Sequence, residues 1–480
     1  MVRLSTATLP HLPADVARPS YDRGAVRAGV VHLGIGAFHR AHQALVFDRA
    51  LAASDRRWGI TGASLRSPAT RDAMAPQDNL YTLVERDGAG DRRRVIGAVL
   101  DTLVAPEDPA ALVARLADAA THIVTLTVTE KGYRLDAAGN LLTGEADVAA
   151  DIAHPHAPRT APGFLVAALA RRRAAGLAPF TAISCDNLPS NGHRLRNAVL
   201  AMAEAQDAGL ARWIAAEGAF PETMVDRIVP ATTDADIHAF AAATGVEDRA
   251  LVTGEPFLQW VIEDRFCGPR PDFAAFGAQL TDAVAPWEEA KLRLLNGAHS
   301  ALAYLAGLAG VEFVHQAIAL PEYRRLVDRL WDESAATLSP PPGLDLPIYR
   351  AALLARFANP ALHHRTRQIA MDGSQKLPQR LIAPLAATIA AGREAPALAL
   401  AVAGWMRWQA GRDDAGAAHV VDDPRAAETS RRWHGAPDAA ARVAALLPLV
   451  APDAAALAPA VTAALRAIED RGAKGATAML

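Results

Sequence analysis

Cysteine is scarce: Cys185 and Cys267 are the two in 480 residues. Two thiols cannot build a disulfide framework or a four-thiolate zinc site, and they fit a reducing compartment, so a cytoplasmic location is expected. An excess of one charge sign is also missing. Lys and Arg number 49 against 52 Asp and Glu, with the signs interspersed and a formal net charge of −3. That balance excludes a basic nucleic-acid surface and an acidic tail, and leaves a small molecule as the expected partner. Long apolar runs are absent as well. The longest, over 381–392 and 397–404, fall short of the roughly 20 residues a membrane-spanning helix needs. Near the start, Pro10, Pro13 and Asp15 interrupt any secretory apolar region. Aromatic residues make up only 5%, yet a 51% hydrophobic and 21% charged composition over this length supports two domains with real cores and excludes disorder. No repeat of 20 to 50 residues is visible.

The first half alternates short β-branched runs with alanine-rich helical stretches, the pattern of an α/β domain around a mostly parallel sheet. Strands are expected at 29–33, 59–65, 94–100, 122–128, 180–185 and 224–229, and helices at 42–54, 109–119, 163–175 and 191–206. After about residue 285 the β-runs stop. Helical periodicity dominates from there, as in 288–308 and 321–330, broken by Ser339-Pro340-Pro341-Pro342-Gly343. The expected organisation is a doubly wound, Rossmann-like domain over 1–284 and a mainly α-helical domain over 285–480.

The run VVHLGIGAFHRAHQAL places an apolar strand before Gly34 and Gly36 and a helical pattern after them. Glycines there let the backbone turn tightly and a pyrophosphate approach free N–H groups, which predicts dinucleotide binding; the other reading is an ordinary turn. His39 stands where the third glycine of the common fingerprint would be. Gly34, Gly36, Phe38 and Arg40 are the candidate cofactor residues of this turn. The next strand ends Ser64-Leu65-Arg66-Ser67-Pro68. It has no acid for a ribose 2′-hydroxyl, and Arg66 can face a phosphate or solvent, so these residues leave NAD and NADP both open. His32, His39 and His42 have no carboxylate or cysteine nearby in sequence, so no metal site is expected.

The segment EEAKLRLLNGAHSALAYL reads as one helix. At about 100° per residue, His299 lies about 80° and Asn296 about 140° around from Lys291, so the three project from one side. Their neighbours are apolar, and buried polar groups need partners. Desolvation disfavours a charged lysine, which makes Lys291 a usable general base for an alcohol, and the Asn296 amide suits a developing alkoxide. A surface lysine beside a core asparagine is the alternative on spacing alone. Asn187 follows a strand at the carboxyl edge, where open α/β sheets bind ligands; it is either a second alkoxide donor or a turn residue. Asp226 sits in an apolar strand, where a carboxylate needs a partner, and Arg227 points to the opposite face. Glu130 and Lys131 read as a loop salt bridge. Lys376 and Arg380 fall in a glycine-containing loop, DGSQKLPQR, where they clamp an anion or face water.

The stretches VHLGIGAFHRAHQAL, TLTVTEKGY, SCDNLPSNGH, MVDRIVPAT, EPFLQWVIED, KLRLLNGAHSALAYL, IAMDGSQKLPQRL and VAGWMRW together resemble the polyol-specific long-chain dehydrogenase/reductase family of mannitol dehydrogenases and uronate reductases. The resemblance runs nearly end to end. It implies a nucleotide-binding domain, a helical domain, a cleft between them for a linear sugar chain, and zinc-independent hydride transfer. By motif it implies Lys291 as general acid/base, Asn187 and Asn296 as donors to the alkoxide or carbonyl oxygen, and His299, Asp226 and Lys376 as holders of substrate hydroxyls. Three details resemble the fructuronate reductase branch, which interconverts D-fructuronate and D-mannonate. The turn reads GAFHRAH where mannitol enzymes tend to have Asn or Gly before Phe, TEKGY replaces TEGGY, and Arg380 stands where mannitol enzymes more often have an aromatic. A uronate carries a carboxylate that a polyol lacks, and arginine can hold it with two parallel hydrogen bonds, so Arg380, helped by Lys131, is expected to select the acid. Mannitol 2-dehydrogenase, or another polyol or tagaturonate oxidoreductase, is the alternative. NAD-preferring mannitol enzymes carry acids just after the second strand, where this chain has Pro68 and Ala69. Uronate reductases lack a simple acid there too and usually use NAD, so NAD is the expected cofactor, with NADP open. The expected assembly is a monomer or weak oligomer.

Overall fold

Four short runs are buried on both faces, which a sheet covered from both sides satisfies, and a fifth is partly exposed at the sheet edge. In the computed structural model, which describes residues 2–136, 138–453 and 455–480, they form β1 (Val30–Leu33), β2 (Ile60–Ser64), β3 (Val99–Val104), β4 (Ile123–Leu126) and β5 (Thr181–Ser184). All are parallel and lie in the order 3-2-1-4-5. Chain direction across the sheet reverses between β1 and β4, the position where doubly wound sheets open a crevice at their carboxyl ends. Alternate residues feed two cores. Val31, Leu33, Val124 and Leu126 pack with Leu112, Phe164 and Leu195, whereas Val30, Ile60, Ile123 and Ile183 pack with Leu45, Phe47 and Trp58. Each such side chain stabilises the fold by about 1.5–3 kcal/mol.

The covering helices start where the sequence supplies caps. Asp108 accepts from the Ala111 N–H at the head of Pro109–Ala117, and Thr160 accepts from the Gly163 N–H at the head of Ala161–Ala174. Asn191–Gln206 matches its expected bounds. Other expectations are corrected. The stretch 94–100 is not one strand: Gly90–Ile96 pairs antiparallel with Tyr81–Asp87 in a separate four-stranded sheet, and β3 begins only at Val99. The chain changes sheet at Gly97, where a Cβ would sit 2.7 Å from the Pro19 ring. The strand expected over 224–229 is Thr223–Asp226, paired antiparallel with Gln259–Glu263. The helix expected over 42–54 is Gln43–Ala52, preceded by a five-residue turn of helix, Ala37–Ala41.

The chain divides into two compact units, Met1–Val284 and Ala285–Leu480. Among the described residues of the second, all regular structure is helical. Gly297–Leu308 is buried along its whole length. Gly404 lets Pro396–Trp408 approach it, since a Cβ there would stand 2.9 Å from the Leu305 side chain. The first turn of Pro396–Trp408 is capped from another helix: Glu333 accepts from the Ala397 and Leu398 N–H groups at 3.0 and 2.8 Å. The breaker cluster at 339–343 separates Pro321–Ala335 from Leu346–Phe357. No described helix is long and apolar enough to cross a membrane.

Candidate active-site elements of the two units

Gly34 leaves β1 with φ +95°, and a Cβ on it would lie 2.2 Å from the Thr127 carbonyl oxygen. Only glycine fits so close to β4 in that conformation. His32 braces the turn. Its Nδ1 lies 2.7 Å from Thr125 Oγ1, its Nε2 2.9 Å from Thr127 Oγ1, and the Thr127 hydroxyl donates to the Gly34 carbonyl at 2.8 Å. These contacts suit a neutral ring with its proton on Nε2. The His39 ring stacks on it at 3.4 Å.

Burial pushes the pKa of His32 down to about 3. A histidine charges readily once unfolded, so between about pH 6.5 and 3 the unfolded chain binds the extra proton. The stability associated with neutral His32 is therefore intact above pH 6.5 and lost as pH falls through that window. Urea titrations between pH 6 and 4 are expected to show stability falling more steeply in the parent than in His32→Asn, by about 1.4 kcal/mol per pH unit. Equal slopes would place the acid sensitivity elsewhere.

Two cavities, of about 470 and 460 Å³, open over the carboxyl ends of the strands and share Gly34, Gly36, Thr127 and Thr129. The larger runs past Ser64, Leu65 and Arg66 at the end of β2 to Arg134 and Arg159. The other is lined by Phe38, Glu130, Asp186, Asn187 and Val225. A Cβ on Gly36 would meet nothing closer than the Gly34 carbonyl at 3.8 Å, so its bare Cα leaves the groove open at the switch point. An elongated groove with a glycine floor, an arginine at one end and carboxamide and carboxylate groups at the other fits a dinucleotide.

The structure brings Gly34, Gly36, Phe38, Arg66 and Asn187 to these cavities. Arg40 is turned away, which corrects its expected place in the groove. Its guanidinium Nε is buried, the group donates to the Ala250 carbonyl and lies over the Tyr81 ring at 5.4 Å, while the Tyr81 hydroxyl donates to the Arg40 carbonyl. Asp226 is buried as the last residue of its strand. Arg227 is buried too, paired with Glu85 at 2.5 Å and donating to the Glu255 carbonyl. Lys131 is exposed, and Glu130 reaches Arg194 at 4.0 Å.

Sequence reasoning missed a second feature of this groove. Thr129 adopts φ +66°, ψ 166°, a region that a β-branched residue enters at a cost of about 1–3 kcal/mol. Asp186 holds it there. Its carboxylate accepts from the Val128 and Thr129 N–H groups at 3.1 and 2.9 Å and from the Tyr133 hydroxyl at 2.6 Å. The signal that could have found Asp186 is an acid placed directly after a buried strand.

In the second unit, the helix expected over 288–308 is interrupted. Ala285–Ala290 and Gly297–Leu308 are α-helical, but Lys291–Asn296 is a π-helical turn in which the Gly297 N–H donates to the Leu292 carbonyl five residues back. Wide turns of this kind recur at functional sites. Such a turn takes more residues than an α-helical one, so the angle between Lys291 and Asn296 is smaller than the about 140° of an unbroken α-helix. Lys291 is buried. Lys376 and Arg380 are likewise not in a loop: Gly373–Leu377 is α-helical and Pro378–Ile382 forms a second π turn, which packs against the first. A Cβ on Gly297 would be 3.0 Å from the Arg380 carbonyl.

His299, one turn beyond, is buried against Phe357 at 4.6 Å and His364 at 5.0 Å. Burial, with His364, Arg356 and Arg380 close by, holds it well below the usual histidine range and therefore neutral. The Lys376 ammonium donates to the Met371 carbonyl at 2.6 Å and lies 3.7 Å from Asp372; burial and the neighbouring Arg380 lower its pKa. Arg380 is lowered by burial, and its hydrogen-bond partner is the Ser300 hydroxyl at 3.3 Å. Among the described residues it forms no ion pair with a carboxylate.

Both units match domain families. Residues 28–275 match the mannitol dehydrogenase Rossmann domain and residues 283–469 the mannitol dehydrogenase C-terminal domain. The chain belongs to the mannitol dehydrogenase family. It is an oxidoreductase of that family with a Rossmann-type N-terminal domain and a helical C-terminal domain. Its relatives include D-mannonate oxidoreductase of Escherichia coli, 44% identical with 99% of this chain and 100% of that one covered. Mannitol 2-dehydrogenase of Pyrenophora tritici-repentis is 44% identical over 89% and 77%. Among solved structures, Pseudomonas fluorescens mannitol 2-dehydrogenase in ternary complex with NAD and D-mannitol shares 37% identity with a TM-score of 0.83, covering 99% of both chains. Within the described residues of this mannitol dehydrogenase family member, no three His, Cys, Asp or Glu side chains converge as a metal site.

Proposed function

We propose that this chain is an NAD(H)-dependent oxidoreductase that interconverts D-fructuronate and D-mannonate. The observation that carries the substrate choice is Arg380, a largely desolvated guanidinium with a hydroxyl partner and, among the described residues, no carboxylate paired with it. A desolvated cation of that kind is stabilised by an anion, and a uronate or aldonate carboxylate supplies one in the planar form that arginine binds with two hydrogen bonds. The match to D-mannonate oxidoreductase over essentially the whole of both chains supports the same reading.

The dinucleotide would be held by the groove floor at Gly34 and Gly36, with Arg66 toward its adenosine end and Phe38 and Asn187 toward the other. When bound, its nicotinamide ring exchanges a hydride with the substrate carbon. The chain's own groups handle the proton and the oxygen. Protonated Lys291 gives its proton to the C5 oxygen of fructuronate in reduction, and neutral Lys291 takes the hydroxyl proton of mannonate in oxidation. The carboxamides of Asn187 and Asn296 donate to that oxygen as charge develops on it. Neutral His299 can accept from or donate to a substrate hydroxyl, Asp226 accepts from another, and Lys376 donates to a third.

Arg380→Ala is expected to raise the KM for fructuronate by about 10- to 100-fold, the worth of a charged hydrogen-bonded pair, with little change in KM for NADH. An unchanged fructuronate KM removes the basis for the acid. The competing reading, a mannitol 2-dehydrogenase, is favoured by the similarity to the D-mannitol complex. Following nicotinamide absorbance with NADH or NADPH against fructuronate, tagaturonate, fructose and xylulose separates the two: fructuronate with NADH is the expected best pair, and fructose preferred over both uronates rejects the proposal.

A further inference from the structure

Thr129 lines both cavities of the groove, yet its backbone lies in a region essentially reserved for glycine. Nothing in its own side chain favours that conformation. What holds it is a set of hydrogen bonds converging on one carboxylate from three places in the chain. Asp186 accepts from the Val128 and Thr129 N–H groups and from the Tyr133 hydroxyl. The Tyr133 hydroxyl also meets the Ser184 hydroxyl, and Asp186 is fixed in turn by Asn191, whose Nδ2 donates to its carbonyl at 3.0 Å. Tyr133 and Asn191 are buried. Gly132 completes the turn tightly, since a Cβ there would stand 2.6 Å from the Val128 side chain. Asn187 is the next residue after Asp186 and lines the second cavity.

We infer that Asp186 is a positioning residue that holds Thr129 in its left-handed conformation and so keeps the groove wall at 127–130 and the Asn187 segment in the arrangement that accepts a nicotinamide dinucleotide. The inference rests on the dinucleotide reading of the groove. A carboxylate is suited to the role because both of its oxygens only accept, and here three donors point at them. A carboxamide can offer one oxygen, and its NH2 group faces a donor it cannot satisfy. Without the carboxylate, Thr129 is free to relax toward a negative φ, which swings its carbonyl and the following turn.

The test is NADH affinity of the full-length protein, read by nicotinamide fluorescence, for Asp186→Asn and for the double variant Asp186→Asn with Thr129→Gly. Glycine adopts this φ and ψ without strain, so it removes the need for the clamp. Asp186→Asn is expected to weaken NADH binding about tenfold, and the double variant to return within about threefold of the parent. A single variant that binds NADH as the parent does overturns the inference. So does a double variant as weak as the single, because that result gives Asp186 a role unrelated to the backbone of Thr129. Tyr133→Phe, alone and with Thr129→Gly, repeats the comparison with a smaller loss of about threefold and serves if Asp186→Asn does not fold. A parent that binds no NADH at all rejects the dinucleotide reading itself, a result distinct from either failure above.

Discussion

Replacing Lys291 by alanine is expected to lower turnover in both directions by about 10²- to 10⁴-fold, the usual contribution of a positioned acid or base. NADH affinity, measured by fluorescence titration, is expected to stay within about twofold, because the groove at Gly34 and Gly36 belongs to the first unit and Lys291 to the second. The lysine is buried on a wide turn bounded by α-helix on both sides, so its removal leaves a small space and not a broken element. A variant with near-parental turnover eliminates Lys291 as the proton carrier, while a collapse in NADH affinity assigns it a structural part instead.

The second large effect concerns the two glycines of the turn, which act for different reasons. On Gly34 an added methyl meets the Thr127 carbonyl oxygen at 2.2 Å and its carbon at 2.9 Å, and φ is +95°. Both neighbours are backbone of Thr127, the residue directly after β4, so relief requires opening the end of the β1–β4 pair at the centre of the sheet. Gly34→Ala is expected to cost about 2–4 kcal/mol of stability, together with NADH binding. Gly36 has ordinary φ, −85°, and open space around it. Gly36→Ala is expected to unfold within about 0.5 kcal/mol of the parent yet bind NADH at least tenfold more weakly, since its methyl group stands in the groove. Denaturant titration and fluorescence binding on the same samples check both. Equal stability of the two variants would contradict the packing argument for Gly34, and unaltered binding by Gly36→Ala would contradict the groove.

Four strands of the parallel sheet were legible as short buried runs ended by turn residues, but the edge strand β3, with Asp101 exposed, was not; the helices opening at Pro109 and Ala161 carry their own start signals. The antiparallel hairpin was not. Gly90–Ile96 reads Gly-Asp-Arg-Arg-Arg-Val-Ile, a polar string whose strand character comes from pairing with Tyr81–Asp87 and not from its own apolar pattern. Arg40 was misplaced for a related reason. It is adjacent to the glycine turn in sequence, but its direction is set by a carbonyl 210 residues away. Gly373 and Pro378 suggested a loop around Lys376 and Arg380. In the structure Gly373 opens a helix where Tyr304 and Trp405 leave no room for a side chain, a Cβ there lying 2.4 Å from the Tyr304 hydroxyl, and Pro378 opens a π turn. Composition does not distinguish a π turn from an α turn, so the angle between Lys291 and Asn296 could not be read from spacing.

That wide turn carries a consequence for chain length. It accommodates one residue more per turn of hydrogen bonding than the helices on either side. Deleting a single residue between Lys291 and Asn296 would let the whole span anneal into one regular helix, with backbone bonds at least as good as before. Because the wide turn already takes up that residue by turning less at each step, everything beyond the deletion, His299 included, would keep nearly its present facing relative to Lys291. A single deletion in these six positions is therefore tolerated better than one in the α-helical stretches on either side, where the same loss turns everything beyond it by about 100°.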